Sequence, residues 1–324
     1  MAGKQLQRLR KSPQIRKLLA ETHLEASNFI MPVFIREDIK SPQAISGLPQ
    51  VYQHNLESMI TEIQNIVDHN ILGIMLFGIP NTKDAKGSQA IDPNSITNQA
   101  IKIIKKQFPN LILFVDCCFC DYTDHGACFV HDQNGQENKK DTLKALEISA
   151  VNYAKSGADF IAPSGMVDGM IHHIRTTLDQ NNCQNTGILS YAVKYASAFY
   201  GPFRNAVNCP SGVDRKHHQL SISQRNEALQ EAQADIEEGC DMIMVKPAGT
   251  YTDIIRDLKN TTHLPIAAYH VSGEYSMIKL ASEKKIVNEE DAFYEVFMSL
   301  KRAGAQFIIS YYAKEIATYL KQNH

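Results

Sequence analysis

The sequence lacks a long apolar run and lacks an excess of charge of either sign, and each absence excludes a class of protein. No stretch approaches 18 consecutive apolar residues, so we expect no membrane-spanning helix. The net charge is −2 over 324 residues, which argues against a nucleic-acid partner because such a partner needs a basic surface. With 44% hydrophobic residues, the chain has ample apolar material for a large core.

The sequence also lacks the cysteine pattern of a secreted protein. The seven cysteines are odd in number, and four of them lie between positions 117 and 128. A disulfide framework favours an even count spread along the chain. We therefore expect a reduced, cytoplasmic protein whose cysteine cluster binds a metal. The basic N-terminal stretch lacks the apolar core of a signal peptide, and it leaves two interpretations open, a transit peptide and an arm that wraps a partner subunit.

Short apolar runs alternate with amphipathic stretches along the chain. The runs are near-continuously apolar, as in strands buried on both faces, and the eight predicted strands are 28–35, 72–78, 110–116, 158–164, 187–191, 240–246, 264–270 and 305–312. Helices are predicted between them, for example over 56–69, 141–157 and 223–239. We expect Gly157 and Gly239 at helix C-termini and Ser223 as the cap of the third helix.

Eight strands that alternate with helices over about 300 residues are the count of a (β/α)8 TIM barrel. The alternative is a doubly wound open sheet, which is disfavoured because no glycine-rich phosphate loop follows the first strand. Without a linker-like composition between the elements, the sequence predicts one catalytic barrel over 26–324, preceded by an oligomerisation arm over 1–25.

Two lysines follow neighbouring predicted strands, Lys194 after 187–193 and Lys246 at the end of 240–246. One lysine at a strand end is usually a rim residue or an ion-pair partner. A second lysine on the next strand places two ammonium groups side by side, which lowers a pKa and frees an amine to attack a carbonyl. Other strand ends also carry polar groups, and in a barrel this is the catalytic end; they are Asp116, Ser164, Tyr269 and Tyr311.

The densest cysteine cluster is DCCFCDYTDHGACFVHD, residues 116–132. Thiolates from Cys118, Cys120 and Cys128 would leave one tetrahedral position open, as in a catalytic zinc site. The alternative is a structural zinc with His125 or His131 as the fourth ligand. Zinc is favoured over iron because the four-cysteine spacing of an iron–sulfur cluster is missing. Cys117 should point to the other side of the strand as an inert thiol.

A long connection over 195–221 predicts an active-site lid, because loops of this length in a compact barrel are usually functional. Its polar and cationic side chains are interleaved with aromatic residues such as Phe203, and they are Arg204, Arg215, Lys216 and Gln219. Guanidinium forks bind carboxylates, so the lid predicts a carboxylate-bearing substrate. A solvated basic loop and a nucleic-acid groove are the alternatives.

These residues resemble those of the porphobilinogen synthase (5-aminolevulinate dehydratase) family, zinc-dependent branch, over nearly the whole chain. The motifs that carry the resemblance are RLRKSPQIR (8–16), D-x-C-x-C-x-Y (116–122), HG-x-C (125–128), KYASAFYGPFR (194–204), DRKHHQ (214–219), MVKPA (244–248), VSGEY (271–275) and RAGAQFIISYYAKE (302–315). The resemblance implies a lyase that condenses two 5-aminolevulinate molecules into porphobilinogen, with loss of two waters, in tetrapyrrole synthesis. It also implies a homo-oligomer, an octamer built on N-terminal arms, with a hexamer as the alternative found in some members.

The resemblance further implies roles for individual residues. Lys246 is similar to the principal imine lysine and Lys194 to the second lysine, while Asp116 and Ser164 are candidate proton donors and acceptors. The first carboxylate is expected at Ser272 and Tyr311, with Tyr269 packed over the imine, and the second at Arg204, Arg215 and Gln219, with Lys216 and Phe203 beside them. The cysteine triad is similar to the zinc ligands. Glu231 is similar to an acidic position that holds an allosteric magnesium in some members.

Three departures from the family pattern stand near the site. Gly165 replaces an acid, Met170 replaces an arginine, and Phe129 stands where a glycine usually follows the third cysteine. Two other functions stay open on the residues alone. An imine aldolase or dehydratase for a single keto acid would need Lys246 without the cysteines, and a non-catalytic zinc-bound assembly protein would need the cysteines without the lysines.

Overall fold

The computed structural model describes residues 4–210 and 214–323. Its strands within those ranges are β1 (Phe29–Arg36), β2 (Gln43–Ala44), β3 (Tyr52–His54), β4 (Gly73–Ile79), β5 (Ile112–Cys117), β6 (Phe160–Pro163), β7 (Gly187–Lys194), β8 (Met242–Lys246), β9 (Ile266–His270) and β10 (Phe307–Ser310). Its α-helices are α1 (Pro13–Leu18), α2 (Leu56–Asp68), α3 (Ile96–Gln107), α4 (Lys139–Ser156), α5 (Met170–Gln180), α6 (Gly201–Ala206), α7 (Asn226–Glu237), α8 (Thr252–Thr261), α9 (Ser272–Glu283), α10 (Glu289–Ala303) and α11 (Ala313–Asn323).

The strands form the predicted (β/α)8 barrel. Strands β1 and β4 to β10 follow one another in parallel around the sheet, and β10 pairs with β1 through Phe29↔Ile308 and Ile30↔Ile309. This closing pair excludes the open-sheet alternative. Each predicted strand overlaps one of these barrel strands, because residues buried on both faces leave a continuous apolar run in the sequence.

A small antiparallel hairpin of β2 and β3 was not predicted. β3 pairs with the far end of β1, at Phe34↔Gln53 and Ile35↔His54, beyond the residues that β10 reaches. Strands of two and three residues are too short to show an alternation in the sequence.

Two of the three predicted helix ends are confirmed. Gly157 caps α4 at a φ of 114°, and Gly239 follows the last turn of α7 at a φ of 100°, a backbone region that favours glycine. The Ser223 cap was wrong, because α7 begins at Asn226, after Arg225. Ser223 lies instead in a turn closed by Gln224 N donating to the Ser221 carbonyl at 3.0 Å, which keeps it outside the helix.

The N-terminal segment is peripheral to the barrel. Neither the 3-10 helix Leu6–Arg10 nor α1 contributes a buried residue, and the side chain of Leu18 is 81% exposed. Among residues 4–210 and 214–323, no helix combines the length and apolarity needed to cross a membrane.

Candidate active site

The two lysines lie side by side at the ends of neighbouring strands. Lys194 of β7 and Lys246 of β8 are partners in the parallel register, and they are only 8% and 5% exposed. Lys194 Nζ donates to the Ser164 carbonyl at 2.6 Å. Burial first, and then the charge of Lys194, lower the pKa of Lys246 to about 7, although Asp116 partly opposes this shift. A substantial share of the Lys246 amine is therefore a neutral nucleophile near neutral pH.

Aromatic rings surround Lys246. Its Nζ lies 4.2 Å from the ring centroid of Tyr269, 5.0 Å from Tyr191, 5.1 Å from Phe203 and 5.6 Å from Tyr200. The Tyr200 hydroxyl donates to the Lys246 carbonyl at 3.0 Å. The rings exclude water, yet their faces accommodate a cation, as a protonated imine requires.

Tyr191 was not singled out by the sequence. In a regular strand, Tyr191 and Lys194 would point to opposite faces because their separation is odd. However, the β7–β8 register shifts between Ser190 and Val193, where β7 carries one more residue than β8. Such a bulge turns the chain by one residue and directs Tyr191 and Lys194 to the same side, and the sequence alone gives no signal for it.

Asp116 and Ser164 lie beside the lysines, as expected from their strand ends. Burial, and then the neighbouring Cys118, raise the pKa of the Asp116 carboxyl to about 7, against the opposing effect of both lysines. Asp116 Oδ1 is buried without a hydrogen-bond partner among the described residues. The site therefore holds a carboxyl group able to exchange a proton near neutral pH.

The three cysteines of the predicted metal site come together. The sulfur atoms of Cys118, Cys120 and Cys128 all lie within 4.8 Å of one another, and all three side chains are buried. Hydrogen bonds from Cys118 and Cys120 hold the pKa of the Cys128 thiol well below its usual range, so this cluster already favours a thiolate. Three sulfur donors at this spacing fit a tetrahedral Zn²⁺ with Zn–S bonds of about 2.3 Å.

Neither histidine of the structural-zinc alternative joins the cysteines. The rings of His125 and His131 stack on each other with centroids 3.6 Å apart, and His125 Nδ1 accepts from Ala127 N at 3.1 Å. In the described part of the chain, the metal-binding group contains the three cysteines without a fourth protein ligand. Cys117 is buried outside the group, in agreement with its predicted inert role.

The described parts of the predicted lid, 195–210 and 214–221, contribute side chains to the same cavity as these groups, whereas 211–213 lie outside the described residues. A cavity of about 40 Å³ is lined by residues of the lid, the lysines and the metal loop, and these are Cys120, Cys128, Lys194, Tyr200, Phe203, Arg204, Val207, Cys209, Arg215, Gln219 and Lys246. The lysines and the cysteines, which the rival functions would separate, therefore share one chamber.

The guanidinium groups enter this chamber from the lid. Arg204 Nε is buried without a hydrogen-bond partner among the described residues, which leaves a donor for a ligand. Arg215 donates to the Gly126 carbonyl at 2.7 Å and contacts the sulfur of Cys209 at 3.2 Å. Guanidinium donors in this position suit a carboxylate. Cys209 was not proposed from the sequence, where it is a lone cysteine remote from the cluster.

The candidates for the other carboxylate lie behind the lid. Ser272 Oγ accepts from Phe203 N at 3.1 Å and donates to the Phe199 carbonyl at 3.3 Å, so it is engaged with the lid backbone. Tyr311 is buried, with its ring 6.5 Å from that of Tyr269. Both residues contact neighbours of Lys246, Ser272 through Phe203 and Tyr311 through Tyr269, which is compatible with the predicted role.

Lys216 and Glu231 do not line this chamber. Lys216 is exposed and lies on two other cavities. One of them also contains Glu231, Asp168 and Glu227, and the other shares Arg204, Arg215 and Gln219 with the chamber. Burial, and then Asp168 and Glu227, raise the pKa of the Glu231 carboxyl. The magnesium role of Glu231 stays a prediction.

The departures from the family pattern are accommodated by local packing. Phe129 packs its ring 5.4 Å from that of His218. Met170 is buried, and its sulfur accepts from Val167 N at 3.5 Å. A Cβ built on Gly165 would meet only ordinary contacts, at 3.4 Å from Val167. The backbone at position 165 could therefore carry a side chain, and the fold does not require glycine there.

Comparison with known proteins gives a consistent result. The model of the family described as delta-aminolevulinic acid dehydratase matches residues 3–319. Proteins named delta-aminolevulinic acid dehydratase from Staphylococcus epidermidis and Helicobacter pylori are 46% and 43% identical, covering 97% of both chains in the first case and 99% of both in the second. The crystal structure of the Toxoplasma gondii enzyme, in complex with its reaction product porphobilinogen, superimposes with a TM-score of 0.96 at 35% identity, covering 100% of this chain and 93% of that one.

Proposed function

The chain belongs to the delta-aminolevulinic acid dehydratase family, and we propose that Lys246 and Lys194 bind the two 5-aminolevulinate molecules that it condenses. The activity is that of a porphobilinogen synthase, a hydro-lyase of tetrapyrrole synthesis. One observation carries the residue assignment, namely that both lysines line one cavity with the lid arginines and with Cys120 and Cys128 of the cysteine triad. A single-substrate aldolase would not need the triad, and a zinc-bound assembly protein would not need the lysines.

Lys246 forms the first imine in this proposal. Its neutral amine attacks the ketone carbon of the first 5-aminolevulinate, and the ketone oxygen leaves as water. Asp116 and Ser164 lie where they can transfer the protons that this departure requires. The aromatic rings around Lys246 keep bulk water from reversing the step.

Lys194 and the lid bind the second molecule. Lys194 forms an imine with the ketone of this second molecule. Its carboxylate is bound by Arg204, Arg215 and Gln219. The carboxylate of the first molecule is bound by Ser272 and Tyr311. One carbon–carbon and one carbon–nitrogen bond then join the two molecules, and both lysines are released as amines. The two waters lost when the imines form account for the atoms that the product lacks. Fixing both molecules in one chamber contributes proximity, which can amount to about 7–11 kcal/mol.

The metal in this proposal is Zn²⁺ at Cys118, Cys120 and Cys128. The donor set fits, since three buried sulfurs gather around one point and Cys128 favours the thiolate form. A bound zinc would supply Lewis acidity for the second ketone or amine and a lowered pKa for bound water. Mg²⁺ at Glu231 is the corresponding proposal for regulation.

We also propose a cytoplasmic homo-octamer. The described cysteines are free, as a reducing compartment would keep them. The exposed leucines of the arm, Leu6, Leu9, Leu18 and Leu19, offer an apolar surface for a neighbouring subunit. Light scattering of the purified protein, with and without the first 25 residues, tests the assembly, and an unchanged mass after truncation would contradict it.

Borohydride trapping tests the central proposal. Incubation with 5-aminolevulinate and borohydride should leave a mass adduct on the peptide that contains Lys246, and pyrrole formation should be measured in parallel. The same assay after chelation separates the metal from the imine chemistry. An adduct without pyrrole in the zinc-loaded enzyme would support a single-substrate imine enzyme instead. Pyrrole formation without a trapped adduct on either lysine would contradict the imine roles.

A further inference from the structure

The ring of Tyr191 lies close to the amines of both lysines. It lies on β7, is fully buried, and is turned inward by the bulge between Ser190 and Val193. Lys246 Nζ lies 5.0 Å and Lys194 Nζ 5.7 Å from its ring centroid. The rings of Tyr200, Phe203 and Tyr269 contact Lys246, but in the described part of the chain Tyr191 is the ring that lies under both amines.

The ring of Tyr191 affects the two lysines electrostatically as well as sterically. The face of an aromatic ring attracts a cation, and the attraction is largest where water is excluded. Each lysine becomes cationic when it reacts: amine, ketone and one added proton give a protonated imine and water, and the positive charge stays on the lysine nitrogen. Two such cations side by side repel each other, so a ring beneath both reduces the cost of charging them together.

We propose that the ring of Tyr191 is a shared electrostatic support that stabilises the protonated imines of Lys246 and Lys194 at the same time. This inference rests on the imine roles proposed above. The Tyr191 hydroxyl is buried without a hydrogen-bond partner among the described residues. The ring face is the part of Tyr191 that contacts the two reacting nitrogens.

The test varies the electron density of the ring at nearly constant shape. Phenylalanine, 4-fluorophenylalanine and 3,4,5-trifluorophenylalanine are inserted at position 191 by codon suppression. Fluorine weakens the negative face of the ring step by step while the side chain still fills the same space. Each protein is incubated with 5-aminolevulinate and borohydride, and adducts at Lys194 and Lys246 are quantified by peptide mass spectrometry.

Adducts at both lysines should fall in that order, with the trifluoro variant about three- to tenfold below Tyr191→Phe. The same fluorinated series at Phe203, which contacts only Lys246 of the two, should lower the adduct at Lys246 alone. Equal adducts across the Tyr191 series, or a decrease at Lys246 alone, would overturn the inference. An enzyme without substitutions that traps substrate at neither lysine would instead overturn the imine roles, so the two failures are distinguishable.

Discussion

Replacing Lys194 with methionine should raise the pKa of Lys246, although Lys194 does not itself form the first imine. Methionine keeps the length and burial of the side chain but removes the positive charge. Burial is the largest cause of the low Lys246 pKa of about 7, and Lys194 is the second. Removing a neighbouring like charge in a buried site shifts a pKa by about one unit, or about 1.4 kcal/mol. The buried Asp116, Cys120 and Asp121, which favour the ammonium form, remain.

The sign of the effect follows from the neutral fraction of the amine. With a pKa of about 7, half of the Lys246 amine is neutral at pH 7, whereas a pKa one unit higher leaves about a tenth. Imine formation at Lys246 in Lys194→Met should therefore be about fivefold slower at pH 7, and the difference should disappear as the pH rises to about 9. Unlike turnover, this step does not require the second lysine.

The assay is the initial rate of borohydride-trapped adduct at Lys246, measured from pH 5.5 to 9.5. Lys139→Met is the matched control, because Lys139 is an exposed lysine that pairs with Asp168 outside the chamber. Its pH midpoint should equal that of the unmodified enzyme. A midpoint in Lys194→Met that is unchanged or lower would refute the coupling between the two amines.

Three further predictions concern activity. Lys246→Ala should abolish pyrrole formation and leave the thermal transition nearly unchanged, and near-normal turnover would contradict the assignment. Arg204→Ala and Arg215→Ala should each raise KM about 10- to 100-fold, because each removes a charge-assisted hydrogen bond. Their effect on adduct formation at Lys246 should be much smaller. Unchanged kinetics would indicate that the lid is a solvated loop. Chelation should remove activity without unfolding the barrel, whose core does not depend on one ion, and zinc should restore it; unfolding on chelation would indicate a structural metal.

The barrel itself was predictable because burial on both faces marks each strand as an apolar run. The boundaries and small elements were not. Ser223 is a good capping residue by type, but the turn that ends the lid holds it three positions before Asn226. The β2–β3 hairpin pairs with the end of β1 that β10 does not reach. That free edge exists only in the closed sheet, so no local sequence pattern predicts the hairpin.

The active site shows the same division. The sequence by itself determined which groups are present at the strand ends: two lysines, a cysteine triad and a lid with guanidinium groups. Only the tertiary structure decided which of them share a chamber, placing Arg204 and Arg215 inside it and Lys216 and Glu231 outside. It also decided the position of Tyr191, because a one-residue bulge reverses the face to which a side chain points. Chemistry is carried by residue type, whereas distance, burial and the resulting pKa values arise only when the strands close into a barrel.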